Sequence, residues 1–346
     1  MGKIAKNFPL ALVVILLALA VALDLWLVQF SHIQAVEFLS PLPSGKATPT
    51  VTDPFLDKVS KRHTVDKYSP SKYFPDSLTI VDDGKDWDID AKAYIAIDRD
   101  SRKILVGKNI TTRLPIASLT KIVTAIIALE NGPLSLETAV SSEAASLGEA
   151  TMGLSPGEKI SVEEALYGML LPSGNDAAET LAEGIGKYKL GTPIDEVDGG
   201  GAQKWFLDRM NEKVQSLGML DTYFFNPTGL DGDNKERTNF STVLDMAALT
   251  NYALSNNQFA KIVDTSEMII PFKEGSHKAF DLYNILTFDS SFPGIKGVKP
   301  GISDFAQETL SSYIEKDGRR IIAVIFGSLH TKDDVVKIYK RIFAGV

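Results

Sequence analysis

Between Ser118 and Glu130 the chain sets Ile122, Val123, Ile126, Ile127 and Leu129 at helical spacing, apolar on nearly every side, and Asn131-Gly132 follows as a stop. A helix without a polar face is a buried helix, so the segments on either side of it have to cover it. Before it, Ala93–Ile97 reads as a strand, Asp98–Ser101 as a turn and Lys103–Val106 as the hairpin partner. After it comes a helical stretch. Ser161 and Glu164 form a capping box that opens a helix through Leu171. Asp176 to Glu183 is a second helix, expected to stop at Gly184 and Gly186. Lys204 to Leu217 is a third, with Phe206, Leu207, Met210, Val214 and Leu217 at helical spacing. Ser241 is expected to cap a fourth, through Ala253.

The last third returns to strands. Lys296 to Ile302 is one candidate. Thr309–Ile314 and Arg320–Phe326 flank Asp317-Gly318, a strong hairpin signal. Thr331 starts a final helix, with Asp333 and Asp334 in its first turn and Lys337, Lys340 and Arg341 toward its end, as the helix dipole prefers. Strands, then helices, then strands and a helix predict an α+β domain. Its antiparallel sheet is built from both ends of the domain and flanked by helices, with a helical block inserted between.

The 346 residues, 44% hydrophobic and 23% charged, have globular composition. Three segments are expected: residues 1–31, 32–76 and 77–346. In the first, Lys3 and Lys6 precede an apolar run from Phe8 to Phe30 in which Asp24 is the only charged residue. That run is long enough for one membrane span, and the basic residues before it keep that end cytoplasmic. An uncleaved anchor is expected because the apolar pattern continues past both candidate signal-cleavage sites, Ala18-Leu19-Ala20 and Ala20-Val21-Ala22. The alternative is a secreted domain after cleavage. Either way the rest of the chain is extracytoplasmic. Residues 32–76 hold Pro41, Pro43, Pro49, Pro54, Pro70 and Pro75 and read as a tether, from which Tyr68, Tyr73 and Phe74 are apolar enough to pack on the domain.

A net charge of −8 argues against a nucleic-acid partner. The chain has no cysteine, hence no disulfide or thiolate metal site, and its four histidines are not at metal-ligand spacing. No metal or cofactor is expected. There is no G-x-S-x-G elbow for a Ser-His-Asp site.

Three peptides carry the chemistry: Ser118-Leu119-Thr120-Lys121, Ser173-Gly174-Asn175 and Lys299-Pro300-Gly301. Each pattern also occurs elsewhere, at Ser69–Lys72, Ser255–Asn257, Lys273–Gly275 and Lys316–Gly318, and context selects among them. Ser118 stands at the start of the buried helix with Lys121 one turn on, on the same face. Burial disfavours a charged lysine, and an uncharged one can take the serine proton. The bland alternative is a helix-capping serine beside a snorkelling lysine. Ser173 and Asn175 lie between two helices, where the serine could relay a proton and the asparagine could hold the substrate backbone or Lys121; an ordinary connector has the same composition. Lys299 lies in a strand, where it would give positive charge to a substrate carboxylate. Gly301 would let a substrate backbone approach, and Pro300 puts that strand at an edge.

These peptides resemble those of the serine D-alanyl-D-alanine carboxypeptidases, the low-molecular-mass penicillin-binding proteins, whose fold is shared with β-lactamases. The resemblance extends to Pro115–Lys121, Gly153–Glu158, Leu171–Ala178, Phe225–Leu230 and Ser241–Ala247, and covers roughly residues 90–345. It implies a serine D,D-carboxypeptidase that removes the terminal D-Ala from peptidoglycan stem peptides through an acyl-enzyme on Ser118, and that β-lactams acylate. It implies Lys121 as general base, Ser173 as proton relay, Asn175 and Lys299 as substrate and electrostatic support, and the backbone N–H groups of Ser118 and Ile302 as oxyanion hole. Pro300 stands where the family has Thr or Ser, whose hydroxyl helps bind the substrate carboxylate. Ser303, on the same strand face as Lys299 and Gly301, is expected to substitute. A D,D-endopeptidase of cross-links and a cell-wall-binding module with an impaired site are the alternatives.

Overall fold

The computed structural model describes residues 73–74, 80–82, 87–197, 199–286 and 292–344. The expected anchor, and the tether apart from Tyr73 and Phe74, lie outside the described residues. No helix among the described residues is long and apolar enough to cross a membrane.

Strands β1 (Ile80–Asp82), β2 (Ala93–Asp98), β3 (Ile104–Lys108) and β4 (Leu114–Pro115) lead into a 3₁₀ turn, Ala117–Thr120, and helix α1, Lys121–Asn131. Then come β5 (Glu137–Ala139), α2 (Ser142–Ser146), β6 (Lys159–Ser161), α3 (Val162–Leu170), α4 (Asn175–Leu190) and α5 (Gly201–Ser216). β7 (Phe240–Ser241), α6 (Val243–Ala253), α7 (Asn257–Val263) and the hairpin β8 (Glu267–Ile270) and β9 (Phe280–Tyr283) follow. β10 (Ile295–Ser303), β11 (Gln307–Lys316), β12 (Arg319–Ser328) and α8 (Thr331–Ala344) end the described chain.

Six strands form one sheet in the order β1-β3-β2-β12-β11-β10. The first and last thirds of the domain meet where β2 pairs antiparallel with β12, from Ala93 opposite Phe326 to Asp98 opposite Ile321. The expected sheet from both ends is therefore present. It departs from a wholly antiparallel one at β1, which runs parallel to β3; a three-residue strand carries too little alternation to read.

Residues alternate between the two faces of a strand. Ala93, Ile95, Ile97, Ile322, Val324 and Phe326 join one core with α1. Tyr94, Ala96, Ile321, Ala323 and Ile325 join the other with Val335, Ile338, Tyr339 and Ile342 of α8. Because both faces are covered, β2 and β12 read as continuous apolar runs. Helix α1 is enclosed as its sequence requires: every residue from Lys121 to Ala128 is buried. Phe74 is buried as well, and the Tyr73 hydroxyl donates to the Arg99 carbonyl at 3.3 Å, so packing on the domain begins ahead of Ser77.

Three local expectations need correction. Ser118 lies on the 3₁₀ turn, and the α-helix begins at Lys121. Helix α4 does not stop at Gly184 and Gly186 but continues to Leu190, ending at Gly191 with φ 74°. The two glycines are packing positions. A Cβ at Gly184 would lie 2.1 Å from Thr138 Cγ2, and one at Gly186 would lie 2.2 Å from the Ala202 carbonyl oxygen. The cap of α6 is Thr242, whose Oγ1 accepts from Asp245 N at 3.0 Å. Ser241 precedes it in β7, opposite Leu114, with its hydroxyl 2.8 Å from that of Thr222. The capping box of α3 and the hairpin at Asp317-Gly318, with φ 50° and 72°, are as expected.

Candidate active site

The segment carrying Ser118 is bent by force. Ala117 has φ 46°, a left-handed conformation that costs a non-glycine residue about 1–3 kcal/mol and needs support from its surroundings. Thr120 Oγ1 donates to the Ala117 carbonyl at 2.9 Å, and Thr309 Oγ1 of β11 donates to the Ile116 carbonyl at 3.1 Å. From the other side, Gly229 at φ 89° lies so close that a Cβ there would be 2.1 Å from the Ala117 carbonyl oxygen. The bend leaves Ser118 half-buried at the end of α1.

Lys121 is fully buried one turn along. Its Nζ lies 2.9 Å from Ser118 Oγ, 2.7 Å from Asn175 Oδ1 and 2.6 Å from the Thr228 carbonyl. The Asn175 orientation is fixed by its other end, since Nδ2 donates to the Gly148 carbonyl at 2.9 Å. Burial lowers the Lys121 pKa from 10.5 to about 7, against the opposing charges of Glu149 and Asp176. An uncharged amine has two N–H groups and one lone pair. Asn175 Oδ1 and the Thr228 carbonyl can only accept, so they take both N–H groups. The lone pair is left facing the Ser118 hydroxyl, which is the arrangement needed to remove its proton.

Ser173 lies in the loop between α3 and α4, also in a left-handed conformation at φ 68°. Its Oγ donates to Ser118 Oγ at 3.2 Å. Asp176, in the first turn of α4, holds the facing loop: its carboxylate accepts from the N–H groups of Met152, Gly153 and Leu154 at 2.8–2.9 Å and from Thr151 Oγ1 at 2.5 Å. The cleft lip carrying Glu149 and Ala150 is thereby tied to the loop carrying Ser173.

Strand β10 is the edge of the sheet, where Pro300 is tolerated. Lys299 is fully buried, and its Nζ donates to the Pro300 carbonyl at 3.1 Å. Burial, and then the neighbouring Lys121, push its pKa well below the usual lysine range. Gly301 packs against the 3₁₀ turn: a Cβ there would lie 2.9 Å from Ser118 N. Ile302 is exposed, and it lines a cleft of about 1160 Å³ together with Ser118, Ser173, Asn175, Gly301 and Ser303. A second groove of about 1080 Å³, beside Glu137, Lys159 and Lys273, holds none of these residues.

The structure thus brings Ser118, Lys121, Ser173 and Asn175 into hydrogen-bonded contact, with Gly301, Ile302 and Ser303 lining the cleft. Lys299, in the same strand, is fully buried and does not line it. Of the two tasks foreseen for Asn175, it performs the holding of Lys121. Ser303 reaches the cleft with its hydroxyl proton already given to Asp231 Oδ1 at 2.9 Å, while its oxygen accepts from Ala306 N at 3.2 Å. No residue pattern marks the Thr228 carbonyl, Asp176, Asp231 or Glu149 individually as part of the site. The Asn-Pro-Thr-Gly stretch at Asn226–Gly229 was visible as a motif, but a main-chain oxygen has no residue-type signature. Two of the lookalike peptides are structural, and Ser69–Lys72 lies outside the described residues. Asn256 caps α7, accepting from Gln258 N and Phe259 N, and Lys316-Asp317-Gly318 is the β11–β12 turn.

A serine within hydrogen-bond reach of a buried lysine at a helix start, beside a sheet edge, is an arrangement chemically suited to acyl transfer. The D-alanyl-D-alanine carboxypeptidase family pattern matches residues 80–329, and the chain belongs to that family. It is 34% identical over 258 residues to the D-alanyl-D-alanine carboxypeptidase DacF of Bacillus subtilis, covering 73% of this chain and 61% of the relative. It is 30% identical over 239 residues to DacB2 of Mycobacterium tuberculosis, covering 68% of this chain and 75% of the relative. The fold is similar to that of the Streptomyces K15 DD-transpeptidase, with a TM-score of 0.66 at 28% identity over 74% of this chain and 98% of that one. The chain spans about three fifths of the length of the Bacillus relative.

Proposed function

We propose that the chain is an extracytoplasmic serine D,D-carboxypeptidase, held at the cytoplasmic membrane by its N-terminal apolar run, that trims the terminal D-Ala from peptidoglycan stem peptides. The observation that carries this reading is the 2.9 Å contact between Lys121 Nζ and Ser118 Oγ, with both other directions of the amine occupied by obligate acceptors. Lys121 takes the Ser118 proton as Oγ attacks the penultimate D-Ala carbonyl. The backbone N–H groups of Ser118 and Ile302 receive the oxyanion. Ser173 passes the proton to the departing amine, and D-Ala leaves. Water then attacks the acyl-enzyme, giving a proton to Lys121. Lys121 returns it to Ser118 Oγ as the acyl–oxygen bond breaks, which frees the acid product and restores the uncharged amine. Lys299 supports this site from beneath. Ser303 serves the substrate carboxylate by turning its hydroxyl from Asp231. β-Lactams acylate the same serine.

A relative from Haemophilus influenzae, 28% identical over 182 residues, is a D-alanyl-D-alanine endopeptidase. Cleavage of cross-links is therefore the second reading. Incubation of the full chain with a labelled penicillin is expected to label Ser118 alone. A folded chain that takes up no label contradicts the acyl-enzyme reading and favours a wall-binding module. Release of D-Ala from a pentapeptide, with a cross-linked dimer left intact, is the expected product pattern; the reverse pattern establishes the endopeptidase.

A further inference from the structure

We infer that Asn239 is a positioning residue for the base: through the 225–229 turn it aims the Thr228 carbonyl at Lys121, and through Thr120 it braces the bend that carries Ser118. This rests on Lys121 being the base, as proposed above.

Asn239 is fully buried, immediately before β7. Its Oδ1 accepts from Phe225 N at 2.7 Å and Asn226 N at 3.3 Å. Its Nδ2 donates to the Asn226 carbonyl at 3.0 Å and to Thr120 Oγ1 at 2.9 Å. Its main-chain carbonyl accepts from Ile116 N at 3.2 Å. One side chain thus joins the turn that supplies the Thr228 carbonyl to the segment that supplies Ser118 and Lys121.

Asn226 completes the link. Its Oδ1 accepts from Gly229 N at 2.7 Å and Thr228 N at 3.1 Å. The Gly229 N–H and the Thr228 carbonyl belong to one planar peptide unit and point in opposite directions. Holding the N–H on Asn226 therefore fixes the carbonyl on the other side, where it meets Lys121 Nζ at 2.6 Å. If this plane turned, one N–H of the amine would lose its acceptor. The amine could then rotate, and its lone pair would no longer be confined to the Ser118 hydroxyl.

A buried asparagine that merely stabilised the loop would have the same bonds, so the test needs a matched control. Asn211 provides one. It is buried, and it grips Phe224 through Nδ2 to the carbonyl at 2.9 Å and Oδ1 from the N–H at 2.9 Å. Its side-chain hydrogen bonds reach neither the 225–229 turn nor Thr120.

Full-length wild type, Asn239→Ala, Asn226→Ala and Asn211→Ala are to be compared in the rate of Ser118 acylation by a labelled penicillin from pH 5 to 9, below the melting temperature of each. The plateau rate of Asn239→Ala is expected to fall about 10–100-fold, the cost of misplacing a reacting group by about an ångström. Its acidic limb should move below that of the wild type, itself expected near pH 7, because the lost carbonyl favours the ammonium form. Asn226→Ala, which frees the Gly229 N–H with Asn239 still in place, should show the same limb shift. It also carries the test if Asn239→Ala does not fold. Asn211→Ala should melt earlier yet acylate within about twofold of wild type. An Asn239→Ala or Asn226→Ala chain with the wild-type rate and limb overturns the inference, as does an equal loss in Asn211→Ala. A wild type whose Ser118 takes no label overturns instead the reading of Lys121 on which it rests.

Discussion

Lys121 sets burial against charge at a single atom. Burial draws its pKa from 10.5 to about 7 while Glu149 and Asp176 draw it upward. The unfolded chain keeps this proton up to its ordinary pKa and the folded chain only up to about pH 7. Between those limits the unfolded state binds more protons, so the contribution of Lys121 to stability rises with pH. Below about pH 7 both states are protonated, and the cost of burying the charge is present in full. The proposed general-base role needs the unprotonated amine, so it has the same sign. Acylation of Ser118 is expected to rise with pH through about 7 and then level off, and Lys121→Ala to lower the plateau about 10²–10⁴-fold and abolish the limb. A limb that survives in Lys121→Ala assigns the base elsewhere. The Ser118–Lys121 pair was legible in the sequence because a spacing of three residues defines one helix face. Asn175, 54 residues away, was legible through its own motif as a possible holder of Lys121. The other acceptor was not legible, because the Thr228 oxygen, 107 residues away, is a main-chain atom. Ser303 illustrates the other limit. Period-two spacing suggested a face for it, while its partner Asp231 lies in a separate loop that no local pattern connects to β10.

At the scale of elements, local propensity and packing disagree most clearly in α4. Gly184 and Gly186 read as a stop because glycine is a poor helix former, by about 1 kcal/mol relative to alanine. On propensity alone Gly186→Ala would stabilise. The packing says otherwise: the new methyl would lie 2.2 Å from the Ala202 carbonyl oxygen, a backbone atom at the start of α5 that cannot swing aside as a flexible side chain can. Overpacking of this kind costs typically about 1–3 kcal/mol, enough to outweigh the propensity gain. Gly186→Ala is expected to lower the urea midpoint, with an unchanged slope against denaturant. A raised midpoint would show that α4 and α5 can separate without loss. The elements read correctly were those whose signals are local and redundant, such as the capping box of α3 and the Asp-Gly turn of β11–β12. Those missed, such as β5 with β6 and β8 with β9, are pairs of three or four residues fixed by their partners.

Across the whole molecule, the two ends of the domain close one sheet around an inserted helical block, and the cleft forms where the block meets the edge strand. This much was legible in the order of patterns, because strands at both ends of a domain have to pair somewhere. The charge of the chain bears on where the domain works. The full chain's net charge of −8 disfavours general attraction to anionic headgroups. If the protein is membrane-bound, attachment falls to the apolar run from Phe8 to Phe30, which is long enough to span a bilayer of about 30 Å as a helix. Insertion of that kind resists treatments that strip surface-bound proteins. The full chain is expected to stay with the membrane pellet through 1 M salt, on the order of a 3 Å screening length, and through alkaline carbonate, and to retain residues before Phe8 when its N-terminus is sequenced. A chain without residues 1–31 should be recovered in the soluble fraction with the acylation rate of the full chain. Recovery of the full-length product in the soluble fraction, with an N-terminus near Ala20 or Ala22, would establish cleavage and secretion instead.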